Sequence, residues 1–444
     1  MSLCTLLHLI LHIIFIFHQA NAFSMNIHPI DSPHLQILPK SFTIKERHHF
    51  LRNISLSRAF YANKKNAKLL GLNSIHSSLS NVQRSYFVTQ LSFGSQEPPF
   101  NPLVILDTSA DQTWIQCAGC NPCFDLQKSF LVENSTSYSR LGVDDGRCIP
   151  KINYEGGCGF EASYGKGHTQ GYLGTDIFNF NDSSGYFPNI AFGCAVKNHD
   201  FDFGGGAQNV IAGVHGLGVG PQSMLTQLEM DIKGRFSYCL RPDNGSSTIK
   251  FGDDVQISGD FATIAMNPEA RYHLYLAGIT VQGRRLTIDP KLFQLDQDYT
   301  RGFFIDPSAT FTVLTNTAYV ALKNAIIEHF KKYGMNPSAP SKNIFDLCYD
   351  KLPGLLTNYP SITFNFIKSP GGDTGEIELK LNQENVFGNF AVANGFCLQM
   401  LSTPDSKDGP SIFGAFQQTN FQFAFDVKTR LLSFAPKSCK DLKV

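Results

Sequence analysis

The chain has 444 residues, 37 basic and 37 acidic side chains and no net charge, with Phe at 38 positions and Trp at one. This length and a hydrophobic fraction of 42% exclude a disordered chain and suffice for two core-forming domains. The even charge balance gives a nucleic-acid partner no electrostatic support.

Residues 1–22 are expected to be a secretory signal. An apolar run from Leu6 to Phe17, too short to span a bilayer, precedes Ala20-Asn21-Ala22, an A-x-A cleavage pattern. No later apolar run reaches membrane-spanning length, so a released product of the secretory pathway, without a membrane span, is expected. Residues 23–80 are polar and proline-interrupted, with a helix expected from Ile44 to Leu70. Lys40, Lys45, Arg47, Arg52, Arg58, Lys64, Lys65 and Lys68 stand there against only Asp31 and Glu46. The segment reads either as a solvated leader or as a basic pro-segment whose cations neutralise carboxylates of the body until low pH protonates them. The pro-segment is the preferred reading.

From Ser85 onward, short runs rich in Val, Ile, Phe, Tyr and Thr alternate with Gly, Asn, Asp and Pro clusters, the pattern of an all-β protein. Strands are expected at Tyr86–Phe93, Tyr172–Phe180, Tyr272–Val281, Ile362–Phe366 and Phe421–Phe425. Helices are expected at Ser223–Met230 and Thr317–Tyr333, the second with Ala318, Leu322, Ala325, Ile326 and Phe330 at amphipathic spacing. The interval from Asp253 to Ala270 divides two lobes, residues 81–260 and 261–444.

Each lobe carries an apolar run that stops at an aspartate: Leu103-Val104-Ile105-Leu106-Asp107 and Phe303-Phe304-Ile305-Asp306. Ser109 matches Ser308, Ala110 matches Ala309 and Thr113 matches Thr312, all at one offset, and each lobe has a later apolar-Gly turn at Gly216 or Gly414. A duplicated lobe is the economical explanation. Two aspartate loops brought together by a pseudo-twofold axis would form a dyad able to share one proton and activate water.

With Cys4 removed in the signal, ten cysteines remain, an even number that argues for five disulfides in a secreted chain. A zinc site at Cys117, Cys120 and Cys123 is the weaker alternative, because an oxidising compartment pairs such thiols. Sequons at Asn53, Asn134, Asn181 and Asn244 fit the same route.

Trp114-Ile115-Gln116-Cys117 after the first aspartate loop, Tyr164-Gly165-Lys166-Gly167, Phe192-Gly193-Cys194, Phe236-Ser237-Tyr238-Cys239-Leu240, Phe345-Asp346-Leu347-Cys348-Tyr349 and Phe413-Gly414-Ala415-Phe416-Gln417-Gln418 together resemble the pepsin-type aspartic proteases, in particular their secreted nepenthesin-like plant branch. The resemblance implies a bilobal double β-barrel with a substrate cleft between the lobes. It implies Asp107 and Asp306 at the cleft floor, Tyr164 and Gly165 in a mobile flap, Trp114 as the indole that holds the flap tyrosine, and Thr108, Ser109 and Ser308 as loop support. It also implies Cys348–Cys397 and Cys239–Cys439 pairing, while Cys117, Cys120, Cys123, Cys148, Cys158 and Cys194 remain unassigned around a cysteine-rich insertion. The expected partner is a peptide or protein substrate. No cofactor and no metal are implied, and the chain is expected to be a monomer. His215, in an apolar-Gly turn, reads as a structural residue.

The loops depart from the family's Asp-Thr/Ser-Gly-Ser/Thr pattern. Ser109 and Ser308 stand where Gly is usual, and Ala110 and Ala309 where a hydroxyl normally reaches the carboxylate. Pro307 replaces a residue whose hydroxyl and N–H grip the opposite loop, and proline has neither group. Thr108 is therefore expected to lose a donor and an acceptor, at roughly 1–3 kcal/mol for each buried group left unpaired. Two functions compete: an acid endopeptidase made as a zymogen, and a catalytically weak or silent relative that binds another protein, for example as an inhibitor of a secreted hydrolase. A glycosidase has only the paired carboxylates in its favour.

Overall fold

The computed structural model describes residues 22–69 and 86–440, apart from 33, 165–166, 181–185, 202, 204–208, 258, 268–270, 297–300, 339–343, 351–357, 373–374, 389–394 and 404–407. The apolar run of the signal, Gly165 and the Asn181 sequon lie outside the described residues. Among the described residues no helix is long and apolar enough to cross a membrane.

The elements that build the site are, in chain order, β1 (Ala22–Pro29), α1 (Ile44–Leu69), β2 (Phe87–Gln90), β3 (Leu103–Asp107), β4 (Trp114–Gln116), β5 (Gly157–Tyr164), β6 (Gly167–Asn179), β7 (Ile211–Gly216), β8 (Arg235–Cys239), β9 (Ser247–Gly252), β10 (Ala262–Asn267), β11 (Phe303–Ile305), β12 (Thr312–Leu314), α2 (Asn316–Lys331), β13 (Ser411–Phe413), β14 (Phe421–Asp426) and β15 (Leu431–Pro436). The architecture is all-β and bilobal. The expected helix at Ser223–Met230 is instead two single turns, Met224–Gln227 and Glu229–Ile232, because Leu228 leaves helical geometry between them and Lys233 ends the second in the left-handed region at φ 56°.

The two halves repeat one device. β3 lies parallel to β7, and β11 lies parallel to β13. β4 runs antiparallel to β7, and β12 to β13. Thr113 Oγ1 accepts from Gly216 N at 3.2 Å and Thr312 Oγ1 accepts from Gly414 N at 3.1 Å. A β-carbon on Gly216 would stand 2.5 Å from Asp111 O, and one on Gly414 2.4 Å from Phe311 C, so both turns require glycine. Each aspartate is thereby delivered at the end of a buried strand.

Six antiparallel strands of a larger sheet join the lobes in the order β1, β9, β8, β14, β15, β10. Strand β1, which also pairs with β2, comes from the basic segment before the first lobe, and its counterpart in the other lobe is β10. Phe23, Met25 and Ile27 alternate inward along β1, and Phe23 stacks at 4.5 Å on both Phe251 and Phe180. At roughly 1.5–3 kcal/mol for each such side chain buried, this part of the leader belongs to the core. The solvated-leader reading is corrected here. The strand was readable in the alternation of Phe23, Met25 and Ile27 with Ser24, Asn26 and His28.

Five disulfides tie the body: Cys117–Cys194, Cys120–Cys123, Cys148–Cys158, Cys239–Cys439 and Cys348–Cys397. The first three staple the first lobe, and Cys239–Cys439 ties the end of β8 to the chain just past β15. The thiols of the zinc alternative are thus engaged in disulfides.

Candidate active site

Asp107 ends β3 and Asp306 directly follows β11; they are 6% and 4% exposed and share one cation. Arg58 donates from Nη2 to Asp107 Oδ1 at 2.6 Å and from Nε to Asp306 Oδ2 at 2.7 Å. One guanidinium therefore fixes both carboxylates within a hydrogen bond of itself. Burial alone pushes the Arg58 pKa down, but the charges and hydrogen bonds of the two aspartates outweigh it and hold the group above its ordinary value. Arg58 is ionised at any pH at which the carboxylates are.

Helix α1 carries Arg58 to this position. Its start is capped reciprocally: Thr43 N donates to Glu46 Oε2 at 2.8 Å and Glu46 N to Thr43 Oγ1 at 3.2 Å, a T-x-x-E capping box. Leu51, Ile54, Ser55 and Arg58 fall on one face at helical spacing, the first three buried. Ser55 Oγ accepts from Phe311 N at 2.8 Å, which docks the helix on the chain just past the second aspartate loop. The space left beside the dyad, lined by Arg58, Ser109, Tyr272 and Asp306 among others, amounts to about 10 Å³, room for about one water.

Above the first loop, Trp114 is fully buried and its Nε1 donates to Tyr164 Oη at 2.8 Å. Tyr164 ends β5, which forms a hairpin with β6, and it is half-buried. The Trp114 and Tyr164 side chains expected to act together are in contact.

Family models described as the N-terminal and C-terminal parts of xylanase inhibitors match residues 87–253 and 271–436. Aspartic proteinase nepenthesin-1 of Nepenthes gracilis is 33% identical over 80% of this chain and 78% of its own length. The chain belongs to the pepsin-like plant aspartic protease family. The Arabidopsis thaliana protein named aspartic protease in guard cell 2 is 28% identical over 82% of the chain and 75% of its own length. Among solved structures, soybean basic 7S globulin superposes with a TM-score of 0.62 at 20% identity, covering 81% of this chain and 95% of that one. The structure titled edgp superposes at 0.61 with 15% identity, over 81% and 94%. These two establish likeness of fold.

Set against the family's loop pattern, the altered positions have a local solution. The N–H groups that the family's glycine positions aim at the carboxylates remain in place: Ser109 N donates to Asp107 Oδ1 at 2.8 Å and Ser308 N to Asp306 Oδ1 at 2.9 Å. Thr108 Oγ1 donates to Asp306 Oδ1 at 2.8 Å, and Ser109 Oγ lies 3.5 Å from Asp306 Oδ2. The expectation that Pro307 leaves Thr108 with an orphan donor and acceptor is corrected. Thr108 N donates to Ser308 Oγ at 3.3 Å, and the Thr108 hydroxyl has turned onto a carboxylate.

His215 is fully buried on β7, with Nδ1 3.0 Å from Thr113 Oγ1, and burial pushes it down to about 3. It stays neutral and braces the glycine turn. Sequence reasoning missed Arg58 as an individual residue. Its signal was an arginine on the apolar face that begins with Leu51, five residues after the capping-box Glu46, at the spacing of Ile54 and Ser55.

Proposed function

We propose that this chain is the secreted precursor of an acid aspartic endopeptidase, with a signal over residues 1–22, a basic pro-segment over 23–80, and lobes at 81–260 and 261–444. The observation that carries the reading is the bridging of Asp107 and Asp306 by Arg58. A site whose two carboxylates converge on one small volume, each oriented by a backbone N–H, suits a dyad that holds a water molecule between them. The family resemblance implies a dyad that works with one carboxyl protonated and the other ionised. The charged form takes a proton from water while the protonated form polarises the scissile carbonyl, and the proton belongs to the pair. Tyr164, held by Trp114, would close over an extended peptide.

In the precursor Arg58 takes the water's place. Release of α1 and its Arg58 from the cleft is then the activating step, with acid as the trigger. The reading predicts that the full chain, acidified, cleaves a denatured protein between about pH 2.5 and 6, and that Asp107→Asn abolishes the cleavage. Absence of acid cleavage, or cleavage that survives the substitution, overturns it.

A second reading, a family member that binds another protein without cleaving it, is supported by Ala110 and Ala309, which offer neither carboxylate the family's usual hydroxyl. An intact, soluble chain that stays inert after the leader is removed would favour it.

A further inference from the structure

We propose that Ser308 is the positioning residue of the dyad in this chain: it performs, one residue later, the interlobe clamp that Pro307 cannot make. Ser308 is 1% exposed. Its hydroxyl accepts from Thr108 N at 3.3 Å and donates to Leu106 O at 3.2 Å. Those are the peptide groups on either side of Asp107. A single oxygen from the second lobe therefore brackets the first aspartate, using its one donor and one of its acceptor sites.

The remaining polar groups of Ser308 are also engaged. Its N–H donates to Asp306 Oδ1 at 2.9 Å and its carbonyl accepts from Tyr86 N at 2.8 Å. The residue thus joins the backbone beside Asp107, the side chain of Asp306 and the start of the first lobe. Pro307 complements this use. It presents no N–H to be satisfied across the lobes, and its ring restricts the backbone leading into Ser308. The pairing of Pro307 with Ser308 then reads as one exchanged unit, in which a hydroxyl lost at one position returns at the next. Ser109, the counterpart in the first loop, cannot play the same part, since its hydroxyl faces Asp306 Oδ2 at 3.5 Å.

The clamp itself rests on geometry alone, and its effect on turnover rests on the peptidase reading, so the test has two readouts. The first is the melting temperature of the full chain at neutral pH, which needs no activity. Ser308→Ala and Ser308→Gly should each melt lower by about 2–4 °C. Ser308→Thr should stay near the parent, and Pro307→Thr combined with Ser308→Gly, which restores the family's residues at the first two positions after Asp306, should recover most of the loss. The second readout is the pH–rate profile of the acid-activated protein. Ser308→Ala and Ser308→Gly should lower kcat about tenfold with KM within about twofold and displace the acid limb, and the double variant should restore both. A melting temperature and a pH profile unchanged in Ser308→Ala, or a double variant no better than Ser308→Gly, would overturn the clamp. If Ser308→Ala does not fold, the comparison of Ser308→Gly with the double variant decides. A parent without acid cleavage sinks the peptidase reading and leaves the melting cycle to judge the clamp.

Discussion

In the first aspartate loop, Thr108 and Ser109 direct their hydroxyls at the carboxylate of the opposite loop, whereas in the second, Ser308 directs its hydroxyl at the opposite backbone. The two loops descend from one pattern, and their strands, parallel neighbours and glycine turns still superimpose in kind. Their hydrogen-bond roles no longer do. The difference teaches that the pseudo-twofold constrains what each carboxylate must receive, a small set of donors in a buried place, and leaves open which residue sends them. A proline in one loop is tolerated when the next residue has a hydroxyl within reach.

That comparison can be broken at several depths. The largest effect belongs to the aspartates: Asp306→Asn should match Asp107→Asn, each lowering acid cleavage on the order of a thousandfold or more. A variant that still cleaves would remove its loop from the chemistry. Next is Arg58, whose one side chain touches both carboxylates. Arg58→Met leaves two buried carboxylates facing each other without their cation, a loss of about 3–5 kcal/mol by the measure of broken buried pairs. The expected result at neutral pH is a leader that becomes sensitive to added protease and a lower melting temperature. Equal protection in both proteins would show that the leader docks without its bridge.

A finer cut separates the hydroxyls of the first loop. Thr108→Val removes a 2.8 Å donor to Asp306 and should cost about 1–3 kcal/mol in denaturant unfolding. Ser109→Ala removes a contact of 3.5 Å and should cost less than about 1 kcal/mol. The reverse order would mean that Ser109 carries the loop.

The smallest expected effect is a pH slope. Burial, followed by the charges of Arg47 and His49, pushes His48 on α1 down from 6.5 to about 4. The docked helix favours neutral His48, so this contribution is complete above about pH 6.5 and is lost as pH falls through about 4. His48→Gln should flatten the slope of leader release between those values, as read by protease sensitivity against pH. An unchanged slope would show that His48 does not set the pH dependence of release.

Much of this was legible in the amino-acid order. The duplicated aspartate loops, the even cysteine count, the amphipathic helix over Asn316–Lys331 and the basic leader are local or compositional signals, and period, spacing and charge survive in one dimension. Pairing across distance does not survive there. Arg58 meets Asp306 over 248 positions and Ser308 meets Leu106 over 202, so neither contact has a sequence signature of its own. The residues after each aspartate announced that the usual support was altered. Only the tertiary structure decided how it was rebuilt, because a hydroxyl's partner depends on which backbone groups lie within about 3 Å of it once two lobes have closed.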